Sequence, residues 1–224
     1  MRKHLIVLTT VSLLLFAGVV LGGGGNIVTV RELPEYVVTG KPLNLTFKVW
    51  VPSEEPMTGL RPPVVHATHA NGRTFAVASL AGPKAEEFTA TLSLPETGDW
   101  TLSIDAEYPG AATLPPITAI GLNSPRPQPV SLVTRGARLF TVKGCNSCHL
   151  HPEVKNSRFY GPELPDKRFS AAFLRKFLAD PSIVPEPGEI CRKDHVICGS
   201  PYAMPNLNLK TEEIEALVAF LTKD

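Results

Sequence analysis

The sequence predicts two domains in tandem, an all-β sandwich followed by an all-α domain, behind an N-terminal signal or anchor helix. Three observations carry that expectation. Three segments in the first half of the chain alternate apolar and polar residues with period two, as strands with one buried face do. From residue 131 onward the periodicity becomes that of short helices, set between proline-rich loops. Ahead of both lies a run without charge, residues 5–21. The boundaries that follow are 1–24 for the leader, 25–122 for the β domain, 123–130 for a Pro-rich linker and 131–224 for the helical domain.

The leader comes first. Met1, Arg2, Lys3 and His4 form a basic head, the apolar run follows, and glycines at 22–25 break it. That is the pattern of an export segment. The run is longer than most signal cores and slightly short of the roughly 20 residues that span a bilayer. Cleavage and retention as a single anchor both stay open. In either case the basic head stays inside and the rest crosses. The folded domains are therefore expected on the periplasmic, extracytoplasmic side, and a retained 5–21 would tie them to the inner membrane.

In the β domain, Leu43, Leu45, Phe47, Val49 and Val51 share one face of a strand, and 88–94 and 100–106 repeat the alternation. Between the last two lies Pro95-Glu96-Thr97-Gly98-Asp99, a turn-rich connector. Weaker candidates are 27–30, 64–70, 75–80 and 117–122, which makes about seven short strands and an antiparallel sandwich. The stretch from Phe88 through Trp100 to Ile104 resembles the small immunoglobulin-like domains of bacterial exported proteins, including the YtkA-like or FixH-like group. His66 and His69, with Met57 nearby in sequence, are residue types that bind copper. On a regular strand, positions three apart point to opposite faces, so the two histidines would not reach one ion.

The chemistry concentrates further on. Cys145-Asn146-Ser147-Cys148-His149 is the attachment signature of a c-type haem. Two thiols must reach two vinyl groups on one porphyrin edge, and the next residue must place an imidazole under the iron. A redox dithiol would need a thioredoxin-like βαβ setting, and a zinc site would need a second ligand pair; neither pattern is present.

From residue 131 to 224 the chain resembles class I cytochrome c domains. Gly136, Leu139 and Phe140, with Leu132, fall on one face of a helix leading into Cys145. The resemblance implies that Gly136 and Phe140 cross the last helix at Leu217 and Phe220. Gly161-Pro162-Glu163-Leu164 matches the family's turn, which implies that the Pro162 carbonyl orients His149. A helix is expected over 170–179, capped by Ser170, with Phe173, Leu174, Phe177 and Leu178 inward and Pro181 ending it. Met204, in Pro201-Tyr202-Ala203-Met204-Pro205, sits where the family places its second iron ligand. His149 and Met204 are thus the expected metal ligands, Cys145, Cys148 and Pro162 the expected haem-binding residues, and haem c the one cofactor. The last helix is expected over 211–221, capped by Thr211.

Cys191 and Cys198 depart from the family. In an exported protein they are expected to form a disulfide ahead of Met204; a second metal site with His195 is the alternative.

The formal net charge is +1. Residues 25–129 hold seven Lys and Arg against ten Asp and Glu, and residues 130–224 hold thirteen against eleven. No nucleic acid is implied by such a balance. The expected function is outer-sphere electron transfer by a monohaem carrier and not an enzyme. Redox proteins are the expected partners, with a membrane-bound respiratory or photosynthetic complex one setting for them. Two readings compete: a haem enzyme or gas sensor with an open sixth site, and a copper-handling exported protein.

Overall fold

The computed structural model describes residues 26–51, 56–106, 111–154, 161, 163–165, 169–182 and 204–223. The predicted leader, 1–24, lies outside them. No helix among the described residues is long and apolar enough to cross a membrane.

Ten strands occur among the described residues. They are β1 (Ile27–Val30), β2 (Tyr36–Val38), β3 (Pro42–Trp50), β4 (Val64–His69) and β5 (Thr74–Ala78), then β6 (Leu80–Ala81), β7 (Glu87–Ser93), β8 (Gly98–Asp105), β9 (Ala112–Thr113) and β10 (Ile117–Ile120). One sheet has the order β1-β3-β7-β6; the other runs β2-β10-β8-β4-β5, with β9 beside β8. The alternation at 43–51 works as expected, since Leu43, Leu45, Phe47 and Val49 are buried. They meet Val65, Ala67, Trp100, Leu102 and Ile104 of the facing sheet in one apolar core. Trp100 is fully buried, and its indole N–H donates to the Glu96 carbonyl at 3.0 Å, so the ring enters the core without an unsatisfied donor.

Three strand expectations need correcting. The segment 75–80 is two strands, because the chain leaves β5 in one sheet and joins β7 of the other as β6. β2 and β9 are too short to display an alternation, so periodicity does not reveal them. The sandwich is also not purely antiparallel. β2 pairs in parallel with β10, Tyr36 opposite Thr118, a long-range contact that no local pattern announces.

The second half supplies α1 (Leu132–Val142), a 3-10 turn (Cys145–Ser147), α2 (Ala171–Ala179) and α3 (Thr211–Leu221). Ser131 caps α1, its hydroxyl accepting from the Thr134 N–H at 3.1 Å. The expected crossing is present. A methyl group at Gly136 would overlap the Ala216 carbonyl oxygen and approach Phe220 Cβ to 2.5 Å, so only glycine lets α1 and α3 come this close. One turn on, Phe140 meets Phe220 edge-to-face with ring centroids 5.8 Å apart. Leu132 does not join this face. It is 51% exposed, and Val133 packs on the core instead.

α2 is capped by Ser170, which accepts from the Phe173 N–H at 3.2 Å, and its chain leaves the helix at Asp180 before Pro181. The cap of α3 is Lys210, one residue earlier than expected. Glu213 reaches back to accept the Lys210 N–H at 3.0 Å, which leaves Thr211 as the first helical residue.

The two halves are in contact. Val142, at the end of α1, is buried in the core of the sandwich. Arg135 pairs with Glu35 at 3.2 Å, and the Arg138 guanidinium donates to the Pro116 carbonyl at 2.6 Å. Burial holds the Arg138 pKa below its ordinary value, with Glu35 opposing the shift.

Candidate functional site

The site begins where α1 stops. Gly144 adopts φ +75°, a conformation that lets the chain turn sharply out of the helix into Cys145. Within the turn the Cys148 and His149 N–H groups both donate to the Cys145 carbonyl, at 3.1 and 2.9 Å. Two strands of loop then fold onto it: the Gly161 N–H donates to the Cys148 carbonyl at 2.9 Å, and the Leu164 N–H to the Leu150 carbonyl at 2.8 Å. Those bonds bring Gly161 against the imidazole of His149. A methyl group at Gly161 would fall 2.6 Å from Nδ1 and 3.0 Å from Nε2, so the glycine is required by the ring seated on it. The family resemblance already implies that the turn beginning at Gly161 lies against His149; the close approach of the glycine itself to the ring is what the structure adds.

Beneath the turn lies a core of Phe140, Leu164, Leu174, Leu217 and Phe220 among others. Cys145 and Met204 both pack against it, half-buried. The structure therefore brings Met204 across 59 residues of sequence to the apolar core that carries the attachment turn. Phe169, Phe173 and Phe177 stack along α2 with centroid separations of 5.6 and 5.5 Å. Of these three rings, Phe169 was not expected; it precedes the Ser170 cap and so stands outside α2, with its ring stacked on Phe173 of the first turn.

Burial, with the charge of Cys148 adding to it, pushes the Cys145 thiol up to about 12. Burial also raises Cys148. A reactive dithiol is favoured by a stabilised thiolate, and burial here works against one. His151 is buried, its ring stacked on Phe220 at 4.2 Å and tilted toward Phe140 at 5.6 Å. Burial lowers its pKa first of all. The imidazole is thus occupied in the α1–α3 packing.

Pro162, Cys191 and Cys198, with His195, lie outside the described residues. The copper alternative meets an obstacle in the sandwich. His66 is exposed and His69 faces inward against Trp100, on opposite faces of β4 as strand geometry requires. Both ring nitrogens of His69 have partners: Nδ1 accepts from the Asn71 N–H at 3.3 Å, and Nε2 lies 3.1 Å from the Thr97 carbonyl.

The family model for cytochrome c matches residues 133–223. Those residues form a cytochrome c domain. Its cofactor is haem c, bound covalently. The residues present fit that group: a two-thiol turn with an imidazole at the next position, a glycine cradle for that imidazole, and a half-buried aromatic and thioether face around it. Among solved structures, similarity is slight. Trypsin-activated alpha-2-macroglobulin from Escherichia coli is 12% identical over 43% of this chain and 7% of that one, with TM-score 0.36. A superoxide reductase (neelaredoxin) from Ignicoccus hospitalis is 16% identical over 43% and 82%, with TM-score 0.29. A conjugative transposon lipoprotein from Bacteroides eggerthii is 14% identical over 42% and 96%, with TM-score 0.25. Likenesses this weak carry no argument. The chain spans less than a tenth of the macroglobulin and most of the two smaller proteins. No curated protein sequence matches the chain significantly.

Proposed function

We propose that this protein is a monohaem electron carrier on the periplasmic side of a bacterial membrane. It exchanges electrons with redox partner proteins by outer-sphere transfer. The observation that carries this reading is the convergence at the cytochrome c domain. His149 is seated on Gly161, and Met204 packs on the same core as Cys145.

Each residue has a task. Cys145 and Cys148 tether the haem through thioethers. His149, held by the cradle at Gly161, would supply an imidazole nitrogen to the iron, and the Pro162 carbonyl would orient its ring. Met204 would supply a soft thioether ligand, which favours the reduced state. The haem, when bound, provides a one-electron couple. If His149 and Met204 were both to hold the iron, no position would be left for a substrate, which is what would separate a carrier from an enzyme or gas sensor. A Cys191–Cys198 disulfide would hold the segment before Met204. Residues 5–21 support an export or anchoring role, and an anchored form suits a subunit of a membrane electron-transfer complex.

The test is Met204→Ala in protein matured with haem. Covalent haem is expected to remain, while the midpoint potential falls by on the order of 0.2 V, a fraction of the ~0.8 V that axial ligation spans. The weak near-infrared band of a ferric haem with methionine bound is expected to disappear. An unchanged spectrum and potential would sink the ligand assignment.

A further inference from the structure

The β-sandwich has no part in the function proposed so far, yet it touches the attachment turn directly. Lys143 is the residue between α1 and Gly144, and it is 7% exposed. Its ammonium lies 2.8 Å from Glu213 Oε1 of α3 and donates to the Arg31 carbonyl of the sandwich at 2.7 Å. The hydroxyl of Thr29, on β1, lies 3.4 Å from the Lys143 carbonyl as a donor. Gly144 is pressed against the same strand: a methyl group there would fall 2.8 Å from the Val28 carbonyl oxygen and 2.9 Å from Ile27 Cγ2. Cys145 is the next residue.

This contact has an apolar centre and a charged rim, the anatomy of a built interface and not of two beads on a tether. Val142 lies inside the sandwich core, and Ile27 and Val28 cover Gly144. Around them stand the Arg135–Glu35 and Lys210–Glu32 pairs. A buried ammonium needs acceptors on each side, and Lys143 takes one from α3 and one from the sandwich. Moving the sandwich away strips one acceptor and admits water to the back of the turn.

We propose that the β-sandwich is a structural part of the haem site, with Lys143 as the positioning residue. Through Lys143 and Gly144 it holds the turn that carries Cys145, and so sets the midpoint potential of the haem attached there. This rests on haem c being carried at Cys145 and Cys148. The physical link is that haem potential responds to nearby charge and to solvent exposure. Loss of the Lys143 charge removes the buried cation paired with Glu213 Oε1, and water entering behind the turn favours the oxidised iron. Both changes lower the potential.

Four full-length variants, matured with haem, decide it. Lys143→Met and Ile27→Ala should each lower the midpoint potential, with haem still covalently bound and the methionine band present. Lys143→Arg keeps a cation of similar reach, and Ile27→Val keeps Cγ2; both should return the potential to the native value. Ile27 lies in the sandwich and changes no charge, so it reports on docking alone. A native potential in Ile27→Ala overturns the proposal, whatever Lys143→Met does, because the clamp would then belong to the cytochrome c domain by itself. A native potential in Lys143→Met overturns it as well. If Lys143→Met does not fold, the two Ile27 variants settle the question. Absence of covalent haem from the unmodified protein would instead strike at the proposed function.

Discussion

In the sandwich, Phe47, Trp100, Leu102 and Ile104 are sealed by side chains of the facing sheet and retain almost no exposure. In the cytochrome c domain, Phe173, Phe177 and Met204 stay half-buried around a core spanned by three short helices among the described residues. The first region closes its core between its own two sheets, with Val142 of α1 the one addition from the helical half among the described residues. The second leaves an aromatic and thioether face for a bound group to cover. The two units are nearly equal in length, so size does not separate them: two facing sheets seal a core between them, while the short helices keep an aromatic and thioether side half-exposed.

The largest effect that can break this comparison comes from the attachment turn. Cys145→Ala with Cys148→Ala should abolish covalent haem and remove most of the helical circular dichroism, while the sandwich keeps its own unfolding transition. Retention of full helical structure without haem would show that the helical core is self-sufficient. Next is Trp100→Ala, which should destabilise the sandwich by ~3–5 kcal/mol, the usual cost of deleting a large buried ring. Its denaturant transition should move while the haem spectrum stays native.

Gly136→Ala sharpens the other side. The substitution gains about 1 kcal/mol of helix propensity. It also drives a methyl into the Ala216 carbonyl, a backbone atom that cannot swing aside. Overpacking of this kind costs about 1–3 kcal/mol or more, so the net effect should be destabilising. A rise in thermal stability would mean that the helices do not cross there. The smallest effect is Ser170→Ala, which removes the cap of α2 and should cost ~1 kcal/mol, read as a shift in the denaturant midpoint.

What was legible differed between the regions for physical reasons. The strands β3, β7 and β8 and the helices α1, α2 and α3 were visible because each has one buried face and enough length to repeat its period. β2 and β9 have three and two residues and owe their existence to partners far along the chain. At the site, the spacing of Cys145, Cys148 and His149 is dictated by porphyrin chemistry and so is written locally. The role of Gly161 is not, because it depends on where the His149 ring lies once the loop folds back. Lys143 is, by sequence, one more charged residue near the end of a helix. Its burial emerges only when β1 and α3 are both placed around it.

The sequence by itself determined the attachment chemistry and the change from strand to helix periodicity. These are set by residue types at short, fixed separations. The tertiary structure alone decided the parallel pairing of β2, the seat of His149 on Gly161 and the docking of the sandwich behind Cys145. Those contacts join distant residues, and their energy exists only when the whole chain has closed around them.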